Sequence, residues 1–105
     1  EHIDPLATFF AATTRQDNNH WPDDGFLPDQ IVSPEMAIYA MTSGAAYSAF
    51  GEKTYGSIAL GQQANFTILN TNLWNHSPAL RKNTHVAKTI VGGEVVYDRN
   101  SIKGR

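Results

Sequence analysis

Gly56-Ser57-Ile58-Ala59-Leu60-Gly61-Gln62-Gln63-Ala64-Asn65-Phe66-Thr67-Ile68-Leu69-Asn70 is where this chain turns from helical to sheet patterning. Gly56 and Gly61 punctuate a turn. The residues that follow alternate with period two, so Phe66 and Ile68 point to one face of a strand and Thr67 and Leu69 to the other. Everything before the turn carries helix signals, and everything after it carries loop and hairpin signals. The fold class expected is therefore α+β, with two helices followed by antiparallel strands.

Downstream, Val86–Val91 and Glu94–Tyr97 are β-branched runs on either side of Gly92-Gly93. That pair suits a type I′ hairpin, which needs positive φ at both central residues. The expected register sets Ile90 opposite Val95 and Thr89 opposite Val96. Between the two strand regions, residues 71–83 form a polar loop with Trp74 and Leu80 as its expected anchors. The tail from Asp98 to Arg105 is polar and expected to fray.

Upstream, Asp4-Pro5 is a helix start: the carboxylate caps the first turn, and proline sits where its missing N–H costs nothing. Leu6, Phe9, Phe10 and Thr13 follow at helical spacing and predict a helix over about Pro5–Arg15 with one apolar face. Ser33-Pro34-Glu35 repeats the same start, for a helix running to about Phe50 and stopped by Gly51. Ala37, Ala40, Met41, Gly44, Ala45 and Ser48 give that helix a small-residue face, expected to meet another backbone closely. Tyr39 and Tyr47 lie elsewhere on its wheel. The connection Gln16–Val32 is long and turn-rich, with Asp17, Asn18, Asn19, Pro22, Asp23, Asp24, Gly25 and Pro28. Its apolar residues Trp21, Phe26, Leu27 and Ile31 are expected to pin it onto a surface.

The 105 residues make one domain by length. With 8 Lys and Arg against 10 Asp and Glu, the chain has no basic stripe for nucleic acid. No apolar run reaches the roughly 18 residues of a membrane helix. The absence of cysteine excludes disulfides and thiolate metal sites. The first residue is Glu1, so the chain reads as processed or as a piece of something longer.

Few side chains carry a chemical signature. His2, His20, His76 and His85 include no His-x-His or His-Glu-x-x-His pair, so they read as structural or surface residues. His2 has the best claim of the four. Ser33, Ser43 and Ser57 lack a Gly-x-Ser-x-Gly context, and Ser33 reads as a helix cap. Gly92-Gly93 lies between strands rather than before a helix, so it is no phosphate loop. Asp17, Asp23, Asp24 and Asp29 lack the ligand spacing of a calcium loop. Asn65-Phe66-Thr67 and Asn75-His76-Ser77 match the glycosylation sequon, a short pattern met often by chance. Arg15 reads as a favourable charge at a helix C-terminus or as a bracing cation. Trp21 reads first as a packing residue and second as a contact to substrate. No catalytic or metal-binding residue is assigned.

Three blocks in order carry a resemblance. They are Asp4-Pro5-Leu6 with Ala11-Ala12-Thr13-Thr14-Arg15; then Ser33-Pro34-Glu35-Met36-Ala37-Ile38-Tyr39-Ala40-Met41-Thr42 with Ala45-Ala46-Tyr47; then Gly56-Ser57-Ile58, Leu60-Gly61 and Ala64 with Thr89-Ile90-Val91-Gly92-Gly93-Glu94-Val95-Val96-Tyr97. Together they resemble the C-terminal end of the metal-dependent amidohydrolases of family 3, some relatives of which are labelled exoenzyme regulatory proteins. The chain departs from that pattern at Leu60, Gln62 and Asn65, where the family usually has Pro, Lys and Asp.

The resemblance implies a parent enzyme hydrolysing amide-type C–N bonds, with a TIM barrel, a β-sandwich built from both chain ends, and a divalent metal, zinc by expectation, that activates water. Residues 1–51 would be the last barrel helix, a loop and the following helix, and residues 52–105 the C-terminal part of the sandwich. On that reading the chain is structural, carries no cofactor of its own, and has the rest of the parent chain as its partner. Exposed strand edges would favour self-association. The alternative is a self-contained binding or regulatory module that uses the aromatic loop around Trp21 and Phe26 for recognition. No nucleic-acid or membrane partner is expected.

Overall fold

The computed structural model describes residues 4–17, 19–74 and 83–103, with the side chains of 102 and 103 set aside. Leu80, His2, His76 and the sequon at Asn75 lie outside the described residues.

Helix α1 spans Pro5–Thr14, and the Asp4 carboxylate accepts from the Leu6 N–H at 2.9 Å, as the cap signal predicts. Its apolar stripe is buried at Phe9, Phe10 and Thr13. The two rings meet edge to face, 5.3 Å apart at 78°, an arrangement that aromatic quadrupoles favour. The Thr13 hydroxyl, being buried, donates back to the Phe9 carbonyl at 3.0 Å. The α1 helix ends at Arg15, which takes a left-handed conformation and returns its N–H to the Ala11 carbonyl.

Helix α2 spans Pro34–Met41, capped by Ser33 Oγ on the Met36 N–H at 3.1 Å. The continuous helix expected to Phe50 is instead broken at Thr42, which sits at φ −120°, ψ −90°. Thr42 Oγ1 donates to the Ile38 carbonyl at 2.7 Å, and such back-bonding by a threonine bends helices. Helix α3 then runs Ser43–Ser48. Its end differs from expectation too. The left-handed stop position is Phe50, at φ 60°, while the Gly51 N–H reaches the Ala46 carbonyl at 2.8 Å and the Phe50 N–H reaches Tyr47 at 3.1 Å. That is a Schellman closure with an aromatic residue in the place glycine usually holds. Gly51 is needed for a different reason, since a Cβ there would strike the Tyr55 ring. Phe50 is 93% exposed and packs on nothing it could lose. Phe50→Gly is therefore expected to stabilise the fold by about 1 kcal/mol, the order of the left-handed penalty it removes; urea denaturation of the two proteins measures it.

The small-residue face meets a backbone, as expected, but at Thr42, Ser43 and Ala46 rather than at Gly44. The visitor is Gly56, whose carbonyl accepts from Ser43 Oγ at 3.0 Å. The core is small: Phe9, Phe10 and Ala37, with Leu6, Val32, Ile38 and Leu73 against them. Leu73 is the anchor that the polar loop supplies; Trp74, expected in that role, is 56% exposed.

The sheet has three antiparallel strands in the order β1 (Phe66–Leu69), β2 (Val86–Val91) and β3 (Glu94–Asp98). Gly92 and Gly93 both have positive φ, 59° and 82°, as the hairpin reading requires. Ile90 faces Val95 as expected, but Thr89 faces Tyr97, because Val96 is an extra residue bulged out of β3. A second irregularity skips Ala87 between the pairs Ile68–Lys88 and Leu69–Val86. Lys88 and Asp98 are cross-strand partners 4.0 Å apart, and both are too exposed for that pair to contribute much. The tail expected to fray forms instead a short helix α4 (Arg99–Lys103), started by Asp98 Oδ1 accepting from the Asn100 N–H at 3.0 Å and folded back toward β2.

Asn65 ties the two sheet regions together. Its Oδ1 accepts from the Gly92 N–H at 2.8 Å, while the Gly93 N–H reaches the Ala64 carbonyl at 2.9 Å. An acceptor oxygen is what this position needs, and Asp would supply one as well as Asn. Asn65→Asp should leave stability within a few tenths of a kcal/mol, whereas Asn65→Leu should cost about 1 kcal/mol, both read from urea midpoints.

Candidate functional site

The long connection after α1 is the most elaborately held loop in the chain. Its two ends are joined, because the Val32 N–H bonds to the Ala12 carbonyl at 3.2 Å. A loop of this length with closed ends is an Ω-type loop. Inside it, Asp17 Oδ1 accepts from the N–H groups of Asn19 and Trp21 at 2.8 and 3.1 Å. The Asp17 N–H bonds to the Trp21 carbonyl and the His20 N–H to the Asp17 carbonyl. Gln16 Nε2 donates to the Asp23 carbonyl at 2.8 Å. Arg15 is the brace: its Nε donates to the Phe26 carbonyl at 2.9 Å, and its guanidinium lies 5.8 Å from the Phe26 ring centroid, within cation–π range. The Phe26 N–H closes the unit on the Arg15 carbonyl at 2.8 Å.

This overturns the expectation that apolar side chains pin the loop. Trp21, Phe26, Leu27 and Ile31 are all exposed, Trp21 by 65%. Polar groups and backbone do the holding, and the apolar side chains are turned outward. The bracing reading of Arg15 is the one its contacts support.

The other candidates fall apart from one another. His20 is held in the Asp17 turn, and His85 sits at the start of β2, its N–H on Asn70 Oδ1 at 2.8 Å. Ser33 is a helix cap, Ser43 binds the Gly56 carbonyl, and Ser57 is exposed in the turn. Asp23, Asp24 and Asp29 are exposed and separate. Among the described residues, no three His, Asp or Glu side chains come together as a metal site.

What the chain displays instead is apolar surface. Met36, Tyr39, Tyr47, Phe50, Ile58 and Leu60 are all exposed, Leu60 completely. The turn carrying Ile58 and Leu60 is nonetheless fixed, with the Gln62 N–H on Ala59, the Gln63 N–H on Thr54 at 2.7 Å, and Gln62 Nε2 on the Glu52 carbonyl. The total accessible surface is 7851 Å², where a compact monomer of this mass exposes about 5,800 Å². The radius of gyration is 15.2 Å, against about 13 Å for a compact chain of this length. Single exposed apolar residues are ordinary, but so many on an extended body mark surfaces built for contact.

These features define an α+β unit that presents apolar surface rather than a catalytic pocket, and comparison with known proteins gives its class. Residues 1–97 match the model described as "Amidohydrolase family". The chain belongs to that family, as a C-terminal segment of a family 3 protein. It is similar to YtcJ of Bacillus subtilis (strain 168), a protein named as an amidohydrolase, at 28% identity over 100 residues, covering 95% of this chain and 19% of the relative. It is also similar to Protein LONG AFTER FAR-RED 3 of Arabidopsis thaliana, at 34% identity over 95 residues, covering 90% of this chain and 16% of the relative. The chain thus spans less than one fifth of either curated relative. No solved structure matches it significantly.

Proposed function

We propose that this chain is a structural part of a metal-dependent amidohydrolase that hydrolyses amide-type C–N bonds, and that the reacting groups belong to the rest of the parent. In this reading residues 1–51 are the last helix of a TIM barrel, its loop and the following helix. Residues 52–105 are the C-terminal part of a composite β-sandwich. The observation that carries it is the match of residues 1–97 to the family within less than a fifth of its relatives' length. The outward apolar side chains of the Arg15-braced loop and of α2 and α3 support it, since a barrel and a sandwich would cover them.

The residues described here do not fit the divalent metal that the family reading implies for the parent. Their histidines are apart and their aspartates are exposed, so no chemical step runs through them. Their work is to hold shape: capped helices, a braced loop and a pinned hairpin offered to the remainder of the enzyme.

Co-expression tests this reading. The chain, supplied together with the remaining portion of its parent polypeptide, is expected to recover metal-dependent amide hydrolysis that neither piece has alone. Failure to recover activity, with both pieces soluble and folded, would count against it.

A further inference from the structure

The two edges of the sheet are not alike. The β3 edge is defended: Glu94 and Asp98 stand at its ends, Val96 bulges out of the ladder, and helix α4 follows directly. Charges, bulges and a covering helix are the usual protections of an edge strand. Strand β1 has none of them. Phe66-Thr67-Ile68-Leu69 carries no charge and no proline, and Thr67 and Ile68 are exposed. Among the described residues, no backbone hydrogen bond outside the ladder with β2 involves Phe66–Leu69, and no side chain reaches them.

We propose that in the chain as it stands β1 pairs with β1 of a second copy, antiparallel about a two-fold axis, to make a continuous six-stranded sheet. Two features fit this occupant. First, the register is self-complementary. A two-fold axis normal to the sheet keeps each face on its own side, so opposed residues must have like parity. Centring on Thr67 sets Thr67 against Thr67 of the second copy and Phe66 against Ile68 twice. Aromatic–β-branched and Thr–Thr pairs are both favourable cross-strand contacts. Second, the area is sufficient. The chain exposes about 2,000 Å² more than a compact monomer of its mass, and each partner in a standard stable interface gives up about 800 Å². This pairing goes beyond the family reading: it concerns the edge that a parent strand would otherwise fill, and it stands or falls separately.

The test is light scattering on the 105-residue chain and three variants, each checked for folding by circular dichroism. The parent chain should elute at twice its monomer mass of 11.6 kDa. Thr67→Lys should return it to monomer mass, because like charges would then face each other at the axis. The chain has no cysteine, so Thr67→Cys gives a clean cross-link. Directly opposed residues in an antiparallel pair have Cα atoms about 4.5–5.5 Å apart, within disulfide reach. Under copper–phenanthroline oxidation Thr67→Cys should become a covalent dimer and Val96→Cys, on the defended edge, should not. A monomeric chain, a dimer indifferent to Thr67→Lys, or equal cross-linking through Val96→Cys would each overturn the pairing. A monomer would leave the family reading intact, whereas failure of the co-expression test would leave the pairing intact.

Discussion

Phe9→Ala should cost about 3–5 kcal/mol and unfold the helical half of the chain. Phe9 is 1% exposed and is the largest fully buried side chain here. It stands edge-on to Phe10 and against Ala37, with Leu6, Val32, Ile38 and Leu73 around it. In a large core, neighbours share the loss of one ring. Here the cluster has few members, and α1, α2 and the polar loop all meet in it. Marginal stabilities of about 5–15 kcal/mol are usual for a domain, so the loss is a large fraction of the whole. Far-UV circular dichroism during urea denaturation measures it. A loss below about 1 kcal/mol would mean that the helices are not held by this contact.

Gly56→Val is the second large effect, expected at about 2–4 kcal/mol from a strained backbone and an overfilled contact together. Gly56 has φ +104°, and a Cβ built on it would stand 2.5 Å from Ala46 Cβ and 3.2 Å from the Thr42 carbonyl. Neither can yield without moving α3, which is also tied to the same residue through Ser43 Oγ. Gly61→Ala is the control. It has a similar φ of +88°, but nothing lies within 4 Å of its added Cβ. Its cost should be the backbone term alone, about 1–2 kcal/mol, and the excess at Gly56 measures the close packing of turn on helix. Equal costs at the two sites would show that the approach of Gly56 to Ala46 contributes nothing.

The parts of this fold legible in the sequence are those governed by local chemistry. The caps at Asp4 and Ser33 are set by one short side chain and the N–H groups two or three residues on. The buried stripe of α1 follows from spacing, and the Gly92-Gly93 turn from the φ values it needs. What was not legible depends on partners distant in the chain. The Val96 bulge shifts Tyr97 opposite Thr89, and no local pattern distinguishes it from the regular hairpin. Thr42 is a tolerable helix residue whose back-bond to Ile38, not its propensity, marks the break. Phe50 holds the left-handed stop one residue before the glycine that seemed designed for it, because Gly51 must make way for the Tyr55 ring.

The candidate site was legible mainly as a family, through blocks spread from Asp4 to Tyr97. The direction of the loop side chains was not. A run containing Trp21, Phe26, Leu27 and Ile31 looks like a set of pins, but the polar network of Arg15, Gln16 and Asp17 had already fixed the loop. That freed the apolar side chains to face outward. The hint was Arg15 at the end of α1, a long cation placed where the following loop could fold over it.

Metal content, read on the purified chain after loading with excess zinc and desalting, is the measurement that bears most directly on the account. A structural segment whose reacting groups lie elsewhere should retain well under one zinc per chain and hydrolyse no amide substrate. A folded chain that keeps one zinc and cleaves C–N bonds by itself would contradict the account and place the chemistry within these residues.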